Sequence, residues 1–310
     1  MARALVLGAN GFLGSHVTRA LSAVPDLEVV AWGLGVPPAG HEAGWLEIDL
    51  LTEADRLDAE LRALEPGLIV NCTGATAGSV TDLFELNVMA TSNLLSAISR
   101  SGIGRPGMGS RLIHIGSAAE YGPGEPGVRV VETACPRPLS PYGIAKLAAT
   151  QLVVAAVAAG RDATVLRVFN PLGPGMAPGS LPGSAQRRLS DAVAASSTRV
   201  EMGPLGSVRD FVDVRDIAAA VVASVLAPAV PPLVNIGSGT GHTARELVEA
   251  LAARLGFSGE TGEAAPGSPR SSDVPWQVAD VDLAWRRLGW RPLHGLDSSV
   301  DFMVTATTTD

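Results

Sequence analysis

The sequence predicts an α/β fold, a doubly wound parallel sheet, and three observations carry that prediction. Short strand-like runs alternate with helical stretches as far as Val168, the pattern of successive βαβ units. Glycines at 8, 11 and 14 stand between the first strand and the first helix, where such a sheet receives phosphate groups. The 310 residues are 46% hydrophobic and only 17% charged, enough apolar material for a large core and too little charge for a disordered chain.

Residues 3–7, Arg-Ala-Leu-Val-Leu, read as a short buried strand. The turn Gly8-Ala9-Asn10-Gly11-Phe12-Leu13-Gly14 follows, then a helix to Ala23, and a strand over Leu27–Trp32 closes the first βαβ unit. Further strands are expected at Trp45–Ile48, Leu68–Asn71, Arg111–Gly116 and Thr164–Val168, with helices between them at Glu53–Leu64, Leu83–Ser99 and Tyr142–Ala159. From Asn170 the texture changes, with Gly and Pro crowding residues 171–183 and shorter mixed elements after them. The reading is a dinucleotide-binding domain over 1–169 and a smaller α/β lobe over 170–310, with a strand near Leu233–Ile236 returning to the main sheet. The Thr-rich tail Thr305–Asp310 reads as frayed.

A net charge of -8 argues against a nucleic-acid or anionic-membrane surface. Cys72 and Cys135 give neither a disulfide framework nor metal-ligand spacing, and the five histidines add none; His114, inside a strand, reads as a core residue. No metal is expected, and the cysteine usage suits a reducing cytoplasm. The apolar stretches Leu147–Gly160 and Ile217–Val230 are too short to span a bilayer, and the N-terminus shows no signal-peptide pattern.

The only lysine, Lys146, follows Tyr142 by four residues, while the other 22 basic positions are all Arg. That spacing puts both side chains on one helix face. An ammonium there favours the phenolate and lowers the Tyr pKa from its reference of about 10, which suits Tyr142 to proton transfer. Ser117 closes the strand that precedes this helix, at the end of a parallel strand where open sheets place ligands; taken alone it also reads as a turn serine. Ser117 and Tyr142 bonded to one substrate oxygen, with Lys146 on the nicotinamide ribose, form a constellation for hydride transfer. The end of the second strand, Ala31-Trp32-Gly33-Leu34-Gly35, lacks the acid that commonly bonds the adenosine ribose, which tilts the expected cofactor from NAD(H) towards NADP(H). Asp49-Leu50 reads equally as an adenine contact and as a helix cap ahead of Glu53.

These motifs, with Asn71-Cys72-Thr73-Gly74-Ala75, Glu85-Leu86-Asn87-Val88, Pro141–Lys146, Arg167–Gly175 and Val208–Asp216, make the chain resemble an extended short-chain dehydrogenase/reductase of the nucleotide-sugar epimerase/dehydratase type. The resemblance runs along nearly the whole length and implies a Rossmann-type fold with a C-terminal substrate lobe. It also implies Ser117, Tyr142 and Lys146 as catalytic residues, and a cofactor, NAD(P)(H), held by Gly8, Asn10, Gly11, Phe12, Leu13, Gly14, Asp49, Leu50, Thr73, Gly74, Asn87, Tyr142 and Lys146. Ser117, Glu120, Asn170, Arg209 and Arg270 are implied as nucleotide-sugar contacts. Arg209 also reads as an ion-pair partner of Asp210 or Asp213, and Arg270 as a surface residue. The resemblance makes Asn87 a helix-kinking residue near the active site and implies that the helices around 83–99 and 142–159 form a four-helix homodimer interface; taken from the sequence alone, these helices could equally face the sheet.

Within that family the stretches Met202–Leu205, Asn235–Gly239 and Arg270–Pro275 resemble the GDP-4-keto-6-deoxymannose reductase branch. A 4,6-dehydratase is expected to carry an acid at position 119, where this chain has Ala119, with Glu120 one residue later. The expected activity is reduction of the 4-keto group of a nucleotide-linked deoxysugar, with a 4-epimerase as the alternative. A non-catalytic dinucleotide-sensing regulator is the reading from another class.

Overall fold

The computed structural model describes residues 2–37, 44–103, 110–265 and 274–306. Its main sheet has seven strands, all parallel: β1 (Ala2–Leu7), β2 (Leu27–Gly33), β3 (Trp45–Glu47), β4 (Leu68–Asn71), β5 (Arg111–Ser117), β6 (Ala163–Val168) and, later in the chain, β10 (Leu233–Ile236). Their order is β10-β6-β5-β4-β1-β2-β3. The chain winds from β1 through β2 to β3, then crosses back to β4 on the other side of β1. That reversal opens a crevice at the carboxyl ends of β1 and β4, the place where open α/β sheets bind ligands.

Side chains alternate across the pleat, so one strand feeds two cores. Ala4 and Val6 of β1 pack with Val17 and Leu21 of α1 (Phe12–Ser22) on one face. Leu5 and Leu7 pack on the other with Leu57 and Leu61 of α2 (Ala54–Leu64), Leu94 and Ile98 of α4 (Ala90–Ser101) and Val153 of α5 (Pro141–Ala158).

The expected helix over Leu83–Ser99 is interrupted. A short α3 (Val80–Phe84), capped by a reciprocal Ser79–Asp82 box, runs into a π-turn at Glu85–Met89 before α4 begins. The cause lies in Asn87, whose side-chain amide donates to the carbonyls of Leu83 (2.8 Å) and Ala75 (3.0 Å) and so competes for the helix ladder.

The smaller lobe centres on β9 (Val208–Asp213). It pairs in parallel with β7 (Asn170–Leu172) and β13 (Trp276–Gln277), and antiparallel with β11 (Gly241–Thr243). A two-stranded ribbon, β8 (Arg199–Glu201) with β12 (Glu260–Gly262), lies beside it. Helices α6 (Leu181–Ala194), α8 (Ala244–Leu255) and α10 (Leu296–Ala306) close its core around Leu189, Leu247, Leu251 and Met303. More of the chain after Asn170 returns to the main sheet than β10 alone. Ile217 and Val221 of α7 (Val214–Leu226), and Ala284 of α9 (Asp282–Leu288), join the same core as Val6 and Val17. A linear cut at 170 therefore divides elements that pack together.

The tightest point of the fold is the turn after β1. A Cβ on Gly14 would lie 1.9 Å from the Gly8 carbonyl oxygen, and Gly8 itself has φ +71°. Gly14→Ala is expected to destabilise the fold by at least about 1–3 kcal/mol, the range for overpacking, and to weaken dinucleotide binding. Chemical denaturation and cofactor titration of the variant check both effects.

Candidate active site

Gly8, Gly11 and Gly14 bring the backbone of the β1–α1 turn close to β4. A Cβ on Gly8 would stand 3.0 Å from the Thr73 nitrogen. Gly11 is the N-cap of α1, supplies no side-chain cap, and is followed by a first turn without an acid. The helix therefore presents backbone N–H groups to the crevice, a ready seat for an anion. Phe12 turns sideways: its ring lies 3.8–4.0 Å from where Cβ atoms of Gly175 and Gly173 would be, next to the loop that leads into the smaller lobe.

Beyond β4, Asn71 Oδ1 accepts from the Thr73 nitrogen and hydroxyl. Gly74 follows at φ +142°, and a Cβ there would stand 2.4 Å from Asn87 Oδ1 and 4.0 Å from Lys146 Nζ. Gly74, Asn87 and Lys146 thus share one small space. Asn87 Oδ1 is buried without a hydrogen-bond partner, an acceptor aimed where a cofactor or water donor would sit.

Ser117 ends β5 half-buried, with its hydroxyl accepting from the Ala119 nitrogen at 3.2 Å. Tyr142, also half-buried, stands in the first turn of α5 behind the Ser140 cap and Pro141. What draws the two segments together is Gly143. A Cβ there would come within 2.5 Å of the Ala119 carbonyl oxygen, so any larger residue would push α5 away from the serine turn. One turn on, the Lys146 amine is buried and donates to the Ile115 carbonyl at 2.6 Å. Burial holds its pKa below the ordinary lysine value, and the Glu120 carboxylate acts against that shift.

Glu120, expected to touch substrate, is fully enclosed. Its Oε2 accepts from Arg167 Nε at 2.6 Å, while its Oε1 accepts from the Ser117 nitrogen (2.8 Å) and the Thr150 hydroxyl (3.0 Å). Both oxygens are committed inside the protein, so its role is to hold the serine turn. Arg167, itself only 2% exposed, also lies over the Tyr121 ring at 4.4 Å.

Asp49 does not cap the following helix, whose N-cap is Glu53, but braces the turn before it. Its carboxylate accepts from the Leu51 nitrogen and the Thr52 hydroxyl, and its own nitrogen donates to Glu53. The Leu50 side chain is buried in the second core. Asn170 donates from Nδ2 to the Asp210 carbonyl at 3.0 Å, between the paired strands β7 and β9 of the smaller lobe. Arg209 is 4% exposed, and burial lowers its pKa to about 10. The acids beside it are engaged elsewhere: Asp210 accepts from Ser238, Gly239 and Ala279, and Asp213 from Arg215. Arg270 lies outside the described residues. Cys72 is a free thiol that burial pushes up to about 12, so it is no nucleophile at neutral pH.

The family model described as "NAD dependent epimerase/dehydratase family" matches residues 4–237. The chain belongs to that family. It is 34% identical to the dTDP-6-deoxy-L-talose 4-dehydrogenase (NAD(P)(+)) of Kitasatospora kifunensis, over 99% of this chain and 96% of the relative. It is 30% identical to the GDP-6-deoxy-D-mannose reductase of Pseudomonas aeruginosa, over 81% and 79%. The structure of RMD from Pseudomonas aeruginosa complexed with NADPH superposes with a TM-score of 0.82 at 25% identity, covering 97% of each chain. UDP-glucose 4-epimerases also occur among the relatives.

The family's dinucleotide fits the residues present, because the acid-free N-terminus of α1 presents backbone N–H groups to an anion and Asn87 offers an unpaired acceptor beside Gly74 and Lys146. Sequence reasoning missed Gly143 and the Glu120–Arg167 pair. Neither carries a local signal, since each is defined by a contact between segments distant in the chain. Glu120→Gln is expected to cost about 3–5 kcal/mol by leaving Arg167 as a buried unpaired charge. Adding Arg167→Met should recover a large part of that loss. Urea melts of the single and double variants measure both, and a double variant as unstable as the single would refute the ion-pair account.

Proposed function

We propose that the protein is an NAD(P)(H)-dependent oxidoreductase that reduces the 4-keto group of a nucleotide-linked deoxysugar. The observation that carries this is the arrangement at the crevice. The Lys146 amine faces inward beside Gly74 and Asn87, and the Tyr142 turn is pressed against the Ser117 turn at Gly143. When bound, the dinucleotide supplies the hydride. Gly8, Gly11 and Gly14 would hold its pyrophosphate on the α1 N-terminus, with Thr73, Gly74, Asn87 and Lys146 lining the nicotinamide end. Ser117 donates a hydrogen bond to the C4 carbonyl oxygen and orients it. Tyr142 delivers a proton to that oxygen as the carbon is reduced, and the Lys146 ammonium stabilises the phenolate left behind. Asn170 and Arg209 would take the substrate's diphosphate and nucleotide, amide and guanidinium donors both suiting phosphate oxygens. Read in reverse, the same steps oxidise a 4-hydroxyl, the direction in the name of the talose dehydrogenase.

Elimination of water finds little support, because position 119 is Ala and both oxygens of Glu120 are committed within the protein. The cofactor choice turns on the rim formed by β2 and β3. Taken alone, the acid-free end of β2 favours NADP(H).

A panel of nucleotide-sugars with NADH and NADPH tests the reading by nicotinamide absorbance. Net consumption with a 4-keto-deoxysugar nucleotide is expected, and interconversion of 4-epimers without net consumption would establish the epimerase instead. Tyr142→Phe should abolish turnover while leaving cofactor affinity within about twofold, because it removes a proton donor and little binding surface.

We also propose that the protein is a cytoplasmic homodimer. Its two cysteines are free. Val80, Phe84, Leu86 and Met89 around the π-turn, together with Ile144 of α5, are exposed apolar side chains. By length and composition α5 could cross a membrane, with a mean hydropathy of 1.3. Only 33% of it is buried within one chain, and a second copy packed on this face accounts for the remainder. Sedimentation velocity should give twice the chain mass, and Met89→Asp combined with Ile144→Asp should halve it. A wild-type protein of single mass would overturn the dimer.

A further inference from the structure

The end of β2 carries no acid, yet a carboxylate stands beside it. At Gly33 the missing side chain has no room: a Cβ would meet Asn10 Oδ1 at 2.6 Å and the Trp45 ring at 2.7 Å. β3 runs parallel to β2 with Glu47 in register with Gly33, and by the period of a strand Trp45 and Glu47 project from the same face. The Glu47 carboxylate accepts from the Gly35 nitrogen at 3.0 Å. Asn10, in the glycine turn, donates to the Leu34 carbonyl at 2.6 Å and ties this rim to the pyrophosphate cradle. The rim is open, since Glu47 is exposed and the Cβ position of Gly35 has nothing within 4 Å.

The local charge has one sign. Residues 33–52 contain Glu42, Glu47 and Asp49 and no Lys or Arg. The next basic residue, Arg56, is paired with Glu53 at 3.0 Å. Among the described residues of the segment 33–56, a 2′-phosphate at this rim would meet the Glu47 carboxylate and no unpaired guanidinium, whereas a 2′-hydroxyl would meet an acceptor already oriented by a backbone N–H.

We infer that Glu47, on β3, takes the place of the absent β2 acid, accepts the hydrogen bond of the adenosine 2′-hydroxyl and makes the site select NAD(H) over NADP(H). This rests on the dinucleotide reading above and reverses the preference that Gly33 alone suggests. The missing acid has been displaced to the neighbouring strand, in a rim whose own position is filled by Trp45.

Isothermal titration calorimetry of the full chain with NADH and NADPH tests it without relying on turnover. NADH is expected to bind at least about tenfold more tightly, a difference of about 1.4 kcal/mol. Glu47→Gln should cut that ratio several-fold, and Glu47→Arg should invert it. Tighter binding of NADPH by the wild type, or a ratio unmoved by both variants, would overturn the inference while leaving the dinucleotide reading intact. Binding of neither dinucleotide would overturn both. The wild-type ratio decides the question even if a variant does not fold.

Discussion

Beneath the serine turn lies a carboxylate that no solvent reaches, and the architecture of the crevice follows from how its charge is satisfied. Glu120 gathers Arg167 from β6, Thr150 from α5 and the backbone of Ser117 at the end of β5. Three elements that meet nowhere in sequence are pinned to one group. A buried ion pair adds little net stability over an apolar substitute, but it fixes geometry, because moving any partner leaves a charge or a donor unsatisfied in a low-dielectric interior. Ser117 and the helix bearing Tyr142 and Lys146 are therefore positioned by the same carboxylate. It also lies near enough to Lys146 to oppose the loss of charge that burial imposes on the amine.

Close backbone approach is the second constraint. Gly14 lets α1 press on the β1 turn, Gly143 lets α5 press on the serine turn, and Gly74 lets the Asn87 side chain approach its backbone. Each absent Cβ marks a contact between segments that a side chain would break. Asn87 contributes twice, breaking the helix ladder into a π-turn with its amide and leaving its carbonyl oxygen free in the crevice.

The lobes are joined by polar contacts. Asp210 on β9 of the smaller lobe accepts from the N–H groups of Ser238 and Gly239, which follow β10 of the main sheet. On the other side of the crevice the Phe12 ring packs against the Gly173–Gly175 loop. The loop leading into the smaller lobe thus touches the first turn of α1.

Strand and helix alternation, the glycine turn and the Tyr142–Lys146 spacing were readable because each is a local pattern with a fixed period. From them follows the parallel sheet, together with the expectation that its carboxyl end takes a dinucleotide and that Tyr142 transfers a proton. The break at Glu85–Met89 carries no periodic signal, since it depends on one amide choosing the Leu83 carbonyl over solvent; only the resemblance of Asn87 to the family's helix-kinking Asn pointed to it. Glu120 illustrates the limit most directly: its place beside Ser117 suggested substrate, and only the pairing of β5 with β6, which sets Gly116 opposite Arg167, turned it inward. The same holds at the cofactor rim. Gly33 announced a missing acid, but whether the rim lacks a carboxylate was decided by the register of β3 against β2, a contact between segments whose alignment no local pattern records.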